Sequence, residues 1–279
     1  MMMEMTINSS VGLNNMVHMP LFGLGMCDVQ DGVLAKQVVL AALEAGYRMI
    51  DTATVYGNEA SVGAAIRESG VTREDLFITT KLWNDDHGYK ETRKALEASL
   101  RKLKTNYVDL YLIHWPVPGK RLESWKAMED MVDQGMIRAI GVSNYLRQHL
   151  LELLMTCRIK PAVNQFELTP FNYLMREELI QFCRKYDIHI ETYSPLTKGL
   201  KLTDPRLLKL SARYFKSPAQ ILIRWALQHG YSVIPKSEKK TRIFENATVF
   251  DFALADDDLL ALDGMNEGLM TSWNPVEFA

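Results

Sequence analysis

Short apolar runs alternate with longer amphipathic segments along nearly the whole chain. The runs at 21–24, 48–51, 76–81, 108–114, 137–142, 162–166, 188–193 and 232–235 are candidate strands. The segments between them carry apolar residues at helical spacing. After Val33, the residues Leu34, Val38, Ala41, Ala42 and Ala45 share one helical face, and Gly46 follows where a left-handed cap is expected. Leu96, Leu100 and Leu103 mark a second helix, and Leu150, Leu151 and Leu154 another. Pro218 opens a helix running through Trp225, at a first-turn position where the missing N–H matters little. Ahead of the first run, 10–13 and 17–19 flank Asn14-Asn15, which predicts a small hairpin because Asn tolerates left-handed turn geometry.

Eight strand-then-helix units without an antiparallel interruption predict an α/β fold built on a parallel sheet. The expected closure is a (β/α)8 TIM barrel with a short N-terminal β-hairpin. Alternation alone fits an open doubly wound sheet equally well. The dinucleotide fingerprint of that open fold is incomplete here. Gly23-Leu24-Gly25-Met26-Cys27-Asp28 ends on Asp28, where close helix packing calls for Gly or Ala. With no fixed-period repeat and no low-complexity linker, residues 1–279 are expected to form a single domain.

Composition narrows the function classes. Lys+Arg 32 against Asp+Glu 34 gives a net charge of -2, which supplies no broad basic field for nucleic acid or an anionic membrane. Cys27, Cys157 and Cys183 are odd in number and scattered, a pattern that fits reduced thiols better than a disulfide framework. Cys157 and Cys183 fall in expected helices, where burial is the simpler role. No apolar run has the length of a membrane span, and Met1-Met2-Met3-Glu4-Met5 lacks the basic start of a secretory signal. A cytoplasmic location is expected. His18, His87, His114, His149, His189 and His229 show no metal-ligand spacing, so no metal site is expected. No Gly-x-Ser-x-Gly elbow is present either.

What remains is a set of ionisable residues near the downstream ends of expected strands. Asp51 ends the second, with Tyr56 in the following loop; Lys81 ends the third and His114 the fourth. In a parallel barrel those ends share one face, where active sites are built. A tyrosine is a reluctant acid at neutral pH, and an adjacent ammonium favours its phenolate. Asp51 would hold Lys81 charged, and His114 could hydrogen-bond a carbonyl oxygen. That set suits carbonyl reduction. It equally leaves Lys81 as a Schiff-base former in an aldolase-like barrel, and each residue alone is more often structural.

The chain resembles the aldo-keto reductase family. The resemblance is carried by Gly46-Tyr47-Arg48-Met49-Ile50-Asp51-Thr52-Ala53-Thr54-Val55-Tyr56-Gly57-Asn58-Glu59, by Thr79-Thr80-Lys81-Leu82-Trp83 and by Asp109-Leu110-Tyr111-Leu112-Ile113-His114-Trp115-Pro116. It continues through Ile140-Gly141-Val142-Ser143-Asn144-Tyr145, Val163-Asn164-Gln165, Tyr193-Ser194-Pro195-Leu196 and Ile234-Pro235-Lys236-Ser237, followed by Arg242. Any one of these is weak; together they run in the family's order along nearly the whole chain.

The resemblance implies an NADPH-dependent reductase of aldehydes and ketones. It implies Tyr56 as proton donor, Lys81 lowering its pKa, Asp51 supporting Lys81 and His114 orienting the carbonyl. Ser143, Asn144 and Gln165 would hold the nicotinamide carboxamide, and Tyr193 would stack on the ring. Lys236, Ser237 and Arg242 would clamp the adenosine 2′-phosphate, for which charge-assisted bonds suit phosphate oxygens. Glu245 and Asn246 would contact adenine, and Ser194, Leu196 and Thr197 would lie along the pyrophosphate.

Departures from the family bear on substrate. Many relatives place an aromatic residue where Cys27 stands, and His where Thr169 stands; Tyr193 replaces a Trp found in some subgroups but keeps a stacking face. Cys27, Trp83 and Trp115 are therefore the expected substrate-pocket residues, whereas Trp125, Trp225 and Trp273 have no neighbourhood argument. The short loop 116–120 and short tail after Asn266 imply an open, shallow site. The expected partner is a small carbonyl substrate, with no nucleic acid and no membrane, and a monomer is expected. The alternative is a catalytically silent nucleotide-binding barrel acting as a sensor or regulatory subunit.

Overall fold

The computed structural model describes residues 5–273. A two-stranded antiparallel ribbon, β1 (Ser10–Gly12) with β2 (His18–Pro20), precedes the main sheet. The main sheet contains β3 (Leu24–Gly25), β4 (Met49–Asp51), β5 (Phe77–Leu82), β6 (Val108–Ile113), β7 (Ile137–Ser143), β8 (Val163–Glu167), β9 (His189–Tyr193) and β10 (Ser232–Val233). These eight strands are parallel and neighbour one another in chain order. The two ends of the sheet then meet. Val233 bridges Phe22 in parallel, the Gly23 N–H donates to the Val233 carbonyl at 3.0 Å, and the Val233 N–H donates to the Leu21 carbonyl at 2.9 Å. That closure makes the sheet a barrel.

Helices α1 (Val33–Glu44), α2 (Glu59–Ser69), α3 (Tyr89–Leu103), α4 (Arg121–Asp133), α5 (Arg147–Leu154) and α6 (Glu177–Lys185) fill the successive crossovers from β3 to β9. Both α7 (Pro205–Tyr214) and α8 (Pro218–Gln228) lie between β9 and β10; α9 (Lys240–Ala247) and α10 (Asp256–Asp263) follow β10. The first and last strands are shorter than their apolar runs. Pro20 and Pro235 bracket those runs and lack the N–H a ladder needs. Gly46 leaves α1 with φ 94°, as its cap position requires. Ser217 and Gln220 form a reciprocal capping box around Pro218.

Two cores result. The larger lies between the strands and the surrounding helices, and Trp125, Trp225, Tyr47 and Tyr111 are its bulkiest sealed side chains. The smaller fills the barrel interior, where Leu13 and Met19 of the hairpin pack on Met49, Phe77, Leu110, Leu112 and Val163. The hairpin is thus the floor of the barrel. Its connection is longer than a two-residue turn: Met16 takes the positive φ (65°), while both asparagines point elsewhere. Asn14 Nδ2 donates to the carbonyls of Pro161 and Asp187, and Asn15 Nδ2 to that of Arg138, at 3.0 Å each. The turn residues therefore fasten the floor to the strand starts, leaving the opposite end open for chemistry. Among the described residues, no helix is long and apolar enough to cross a membrane.

Candidate active site

Asp51 is the last residue of β4, and Lys81 lies within β5, one residue before its end. His114 follows β6 directly. Tyr56 comes at the end of a short 3-10 turn, Thr54–Tyr56, which Gly57 terminates with φ 70°. That left-handed residue turns the chain into α2 and leaves the phenol over the barrel mouth. Asn58 secures the next loop: its Oδ1 accepts from the Thr52 hydroxyl at 2.7 Å, and its Nδ2 donates to the Met26 and Val29 carbonyls at 2.9 and 3.0 Å. The loop bearing Cys27 is thereby held against the Tyr56 turn.

The four ionisable residues meet. Lys81 Nζ donates to Asp51 Oδ1 at 2.5 Å, to the Thr52 carbonyl at 3.0 Å and to the Tyr56 hydroxyl at 3.4 Å. All three ammonium protons are therefore used. Asp51 Oδ2 accepts from Gln165 Nε2 at 2.8 Å, so both carboxylate oxygens are satisfied as well. Lys81 is fully sealed from water and Asp51 is nearly so. The Tyr56 and His114 rings stand edge to face with centroids 5.6 Å apart.

Protonation follows from this packing. Burial raises the Asp51 carboxyl, and the Lys81 charge and hydrogen bonds oppose that rise. Burial and then Lys81's charge hold the His114 imidazole well below its ordinary value, so it is neutral at neutral pH. Burial, followed by the Asp51 charge, pushes the Tyr56 phenol well above its usual range. The pull of the Lys81 ammonium on this proton does not outweigh burial in the arrangement seen. Asp51 sits closer to the ammonium than the phenol does and offsets its field, so desolvation dominates.

The residues expected to hold a dinucleotide lie along one side of the mouth. Ser143 closes β7, Asn144 follows with φ 62°, Gln165 lies in β8 and Tyr193 closes β9. Asn144 Nδ2 donates to the His114 carbonyl at 3.0 Å and to the Ser143 hydroxyl at 3.1 Å, and its Oδ1 accepts from the Tyr193 hydroxyl at 2.8 Å. Ser194 has a positive φ (49°) and begins the loop holding Leu196 and Thr197. Lys236 and Ser237 follow β10; Arg242, Glu245 and Asn246 belong to α9. Lys236 pairs with Glu238 at 2.7 Å, whereas Arg242 is exposed and has no ion pair among the described residues. Hydroxyls and amides beside the buried ion pair, with cations beyond β10, make a donor set that fits an amide-bearing ring at one end and a phosphate at the other. Among the described residues no cluster of His, Cys, Asp or Glu could hold a metal.

Around the mouth, Cys27 is exposed and its thiol interacts with the Tyr56 hydroxyl. Although the residue as a whole is exposed, its thiol is partly desolvated, and this, followed by the Asp28 charge, raises the thiol's pKa, so it keeps its proton. Trp83 packs edge to face on His114 with centroids 5.4 Å apart, and Trp115 stacks on it at 6.5 Å. Thr169 is engaged in the turn after β8, where its backbone N–H donates to Asn172 Oδ1 at 2.7 Å and its hydroxyl accepts from the Phe171 N–H at 3.2 Å. Cys183 is buried in α6, but Cys157 lies past the end of α5 and is only half-buried.

Three residues of the site are not anticipated by the sequence reading. Trp273 reaches over the mouth, its ring centroid 6.3 Å from Trp83 and 5.5 Å from Trp115. The site is therefore walled on the tail side, not bare and shallow. Glu167, the last residue of β8, anchors that tail: its carboxylate accepts from the Thr271 N–H at 2.8 Å, the Thr271 hydroxyl at 2.7 Å and the Ser272 N–H at 3.2 Å. Glu191, sealed within β9, accepts from Gln165 Nε2 at 2.7 Å. A charged residue on the inward face of an otherwise apolar strand is the available signal for Glu191.

Known proteins carry the same pattern. The sequence profile of the aldo/keto reductase family matches residues 22–267. A glyoxal reductase of Bacillus subtilis (strain 168) is 47% identical over 275 residues, covering 99% of each chain. A Bombyx mori aldo-keto reductase solved in complex with NADP is 36% identical, with a TM-score of 0.89 and 95% of each chain covered. A D53A mutant of Gox0644 in complex with NADPH is 38% identical, with a TM-score of 0.91 over 96% of this chain and 98% of that one.

Proposed function

The chain belongs to the aldo/keto reductase family, and on that premise we propose that it reduces small aldehydes and ketones to alcohols with NADPH, Tyr56 giving the proton. The observation that carries this reading is Lys81 Nζ placed between Asp51 at 2.5 Å and the Tyr56 hydroxyl at 3.4 Å, with His114 beside the phenol.

When bound, the cofactor supplies the hydride. Everything else falls to the chain. Tyr56 keeps its proton at neutral pH because burial raises its pKa, so it meets the substrate as an acid. As negative charge develops on the carbonyl oxygen, the phenol gives up its proton, and the Lys81 ammonium steadies the phenolate left behind. Asp51 keeps Lys81 in place. Neutral His114 can donate one hydrogen bond to the same oxygen without adding charge. Ser143, Asn144 and Gln165 orient the carboxamide, and Tyr193 offers its face. Lys236, Ser237 and Arg242 select the 2′-phosphate.

A Schiff base on Lys81 would need a neutral amine directed at the substrate, yet each proton of this ammonium already has an acceptor. The name of the Bacillus relative makes glyoxal a first substrate to try. Purified protein should consume NADPH with glyoxal or a simple aldehyde, and Tyr56→Phe should lower turnover by about a hundred- to ten-thousandfold while keeping NADPH binding. No consumption across a carbonyl panel, with NADPH still bound, would instead favour the silent nucleotide-binding barrel. A borohydride-trapped adduct on Lys81 would favour the lyase.

A further inference from the structure

Beneath the four ionisable residues lies a second carboxyl that the mechanism above does not use. Glu191 is opposite Gln165 in the β8–β9 register, and both side chains face the barrel interior. Gln165 Nε2 carries two protons. One goes to Asp51 Oδ2 at 2.8 Å and the other to Glu191 Oε2 at 2.7 Å. The Asp51 carboxylate, which can only accept, fixes the amide nitrogen on this inward side, and Glu191 Oε2 takes its second proton. The Gln165 oxygen is left with no partner among the described residues.

We propose that Glu191 is a positioning residue for the cofactor: with Asp51 it clamps both N–H groups of Gln165 inward, so that the amide offers only its oxygen, as an acceptor, to the N–H of the nicotinamide carboxamide. This rests on the reading of the mouth as a nicotinamide site. Removing the clamp frees one N–H and lets the amide turn about its last bond, so the acceptor is no longer fixed.

The protonation of Glu191 suits the task. Burial, and after it the Asp51 charge, pushes its carboxyl up to about 8. At neutral pH it is therefore largely uncharged, and its Oε2 still accepts as a carbonyl oxygen. A neutral Glu191 leaves Asp51 as the one anion facing Lys81, so the buried cluster stays balanced. It also makes Gln the faithful replacement, since an amide at this position keeps an acceptor of the same reach.

The test compares binding of NADP+ with binding of its 3-acetylpyridine analogue, which has a methyl group where the carboxamide has its NH2. Wild type should prefer NADP+ by about five- to tenfold, the worth of one well-placed hydrogen bond. Glu191→Leu should reduce that preference to about twofold or less, and Glu191→Gln should restore it. If Glu191→Leu does not fold, Glu191→Ala removes the same acceptor with less crowding and is read in its place. A merely structural role would weaken both dinucleotides equally and leave the ratio unchanged. Folded Glu191→Leu or Glu191→Ala with the wild-type ratio overturns the inference, as does Glu191→Gln losing it as fully as Glu191→Leu. Wild type that binds neither dinucleotide overturns the proposed function and this inference with it.

Discussion

The Lys81 ammonium stands 2.5 Å from the Asp51 carboxylate, and neither side chain has appreciable exposure to water. A pair this deeply buried contributes little net stability, since desolvation offsets much of the attraction. Breaking it is another matter. In Asp51→Asn the ammonium remains buried opposite an amide, which should destabilise the fold by about 3–5 kcal/mol. Urea denaturation would measure this. The same variant should lose turnover, because Lys81 is no longer drawn to its place beside Tyr56. An unchanged denaturation midpoint would contradict this, because an ammonium left without its carboxylate and an amine forced neutral by burial both cost stability.

The neutral state of His114 has a kinetic consequence. Burial and the Lys81 charge hold its pKa well below 6.5, so the imidazole should not titrate across the range where histidines ordinarily do. The pH profile of kcat/KM for an aldehyde should be flat between about 5.5 and 7.5 on its account. An inflection near 6.5 that disappears in His114→Asn would contradict this. Stability moves in the corresponding direction. Below about 6.5 the unfolded chain binds a proton that the folded site refuses, so acid should destabilise the fold progressively until the folded pKa is passed.

The barrel is legible in the sequence because each unit repeats a simple pattern: a short apolar run and then an amphipathic helix. Asp51, Lys81 and His114 are legible as ionisable residues at the ends of such runs. Trp273 is not, because it follows α10 in a segment without periodicity and is brought to the mouth by long-range contacts, among them that of Glu167, 104 residues before Thr271. Nothing local to either residue announces that contact. The pKa of Tyr56 escapes a sequence reading for a related reason. The motifs show an ammonium within reach, whereas the depth of burial and the nearer Asp51 are properties of the folded chain.

Cofactor choice should depend on the cations beyond β10. Lys236 is shared with Glu238 at 2.7 Å, and Arg242 stands on the exposed side of α9, able to meet a phosphate. The double variant Lys236→Ala with Arg242→Ala removes two charge-assisted hydrogen bonds to that group. It should weaken NADPH about a hundredfold and NADH by less than about threefold. Fluorescence titration of both dinucleotides would decide. Equal losses would show that these residues support the fold around α9 and do not read the 2′-phosphate.

The tail offers the clearest separation of pocket shape from chemistry. Glu167 accepts from the Thr271 and Ser272 backbone and from the Thr271 hydroxyl, and this holds Trp273 against Trp83 and Trp115. In Glu167→Gln, one oxygen becomes an NH2 group that would face N–H donors, so part of the anchor becomes repulsive. Loosening the tail should raise KM for a small aldehyde by about three- to tenfold while kcat falls by less than about twofold, because the indole wall binds ground state and transition state alike. Trp273→Ala should reproduce that shift without disturbing Glu167. A bulky aromatic aldehyde should suffer less than a small one in both variants, since it fills the space the indole leaves. Unchanged KM values in both would place Trp273 outside the substrate's reach, and a large fall in kcat would tie the tail to the reacting geometry at Tyr56.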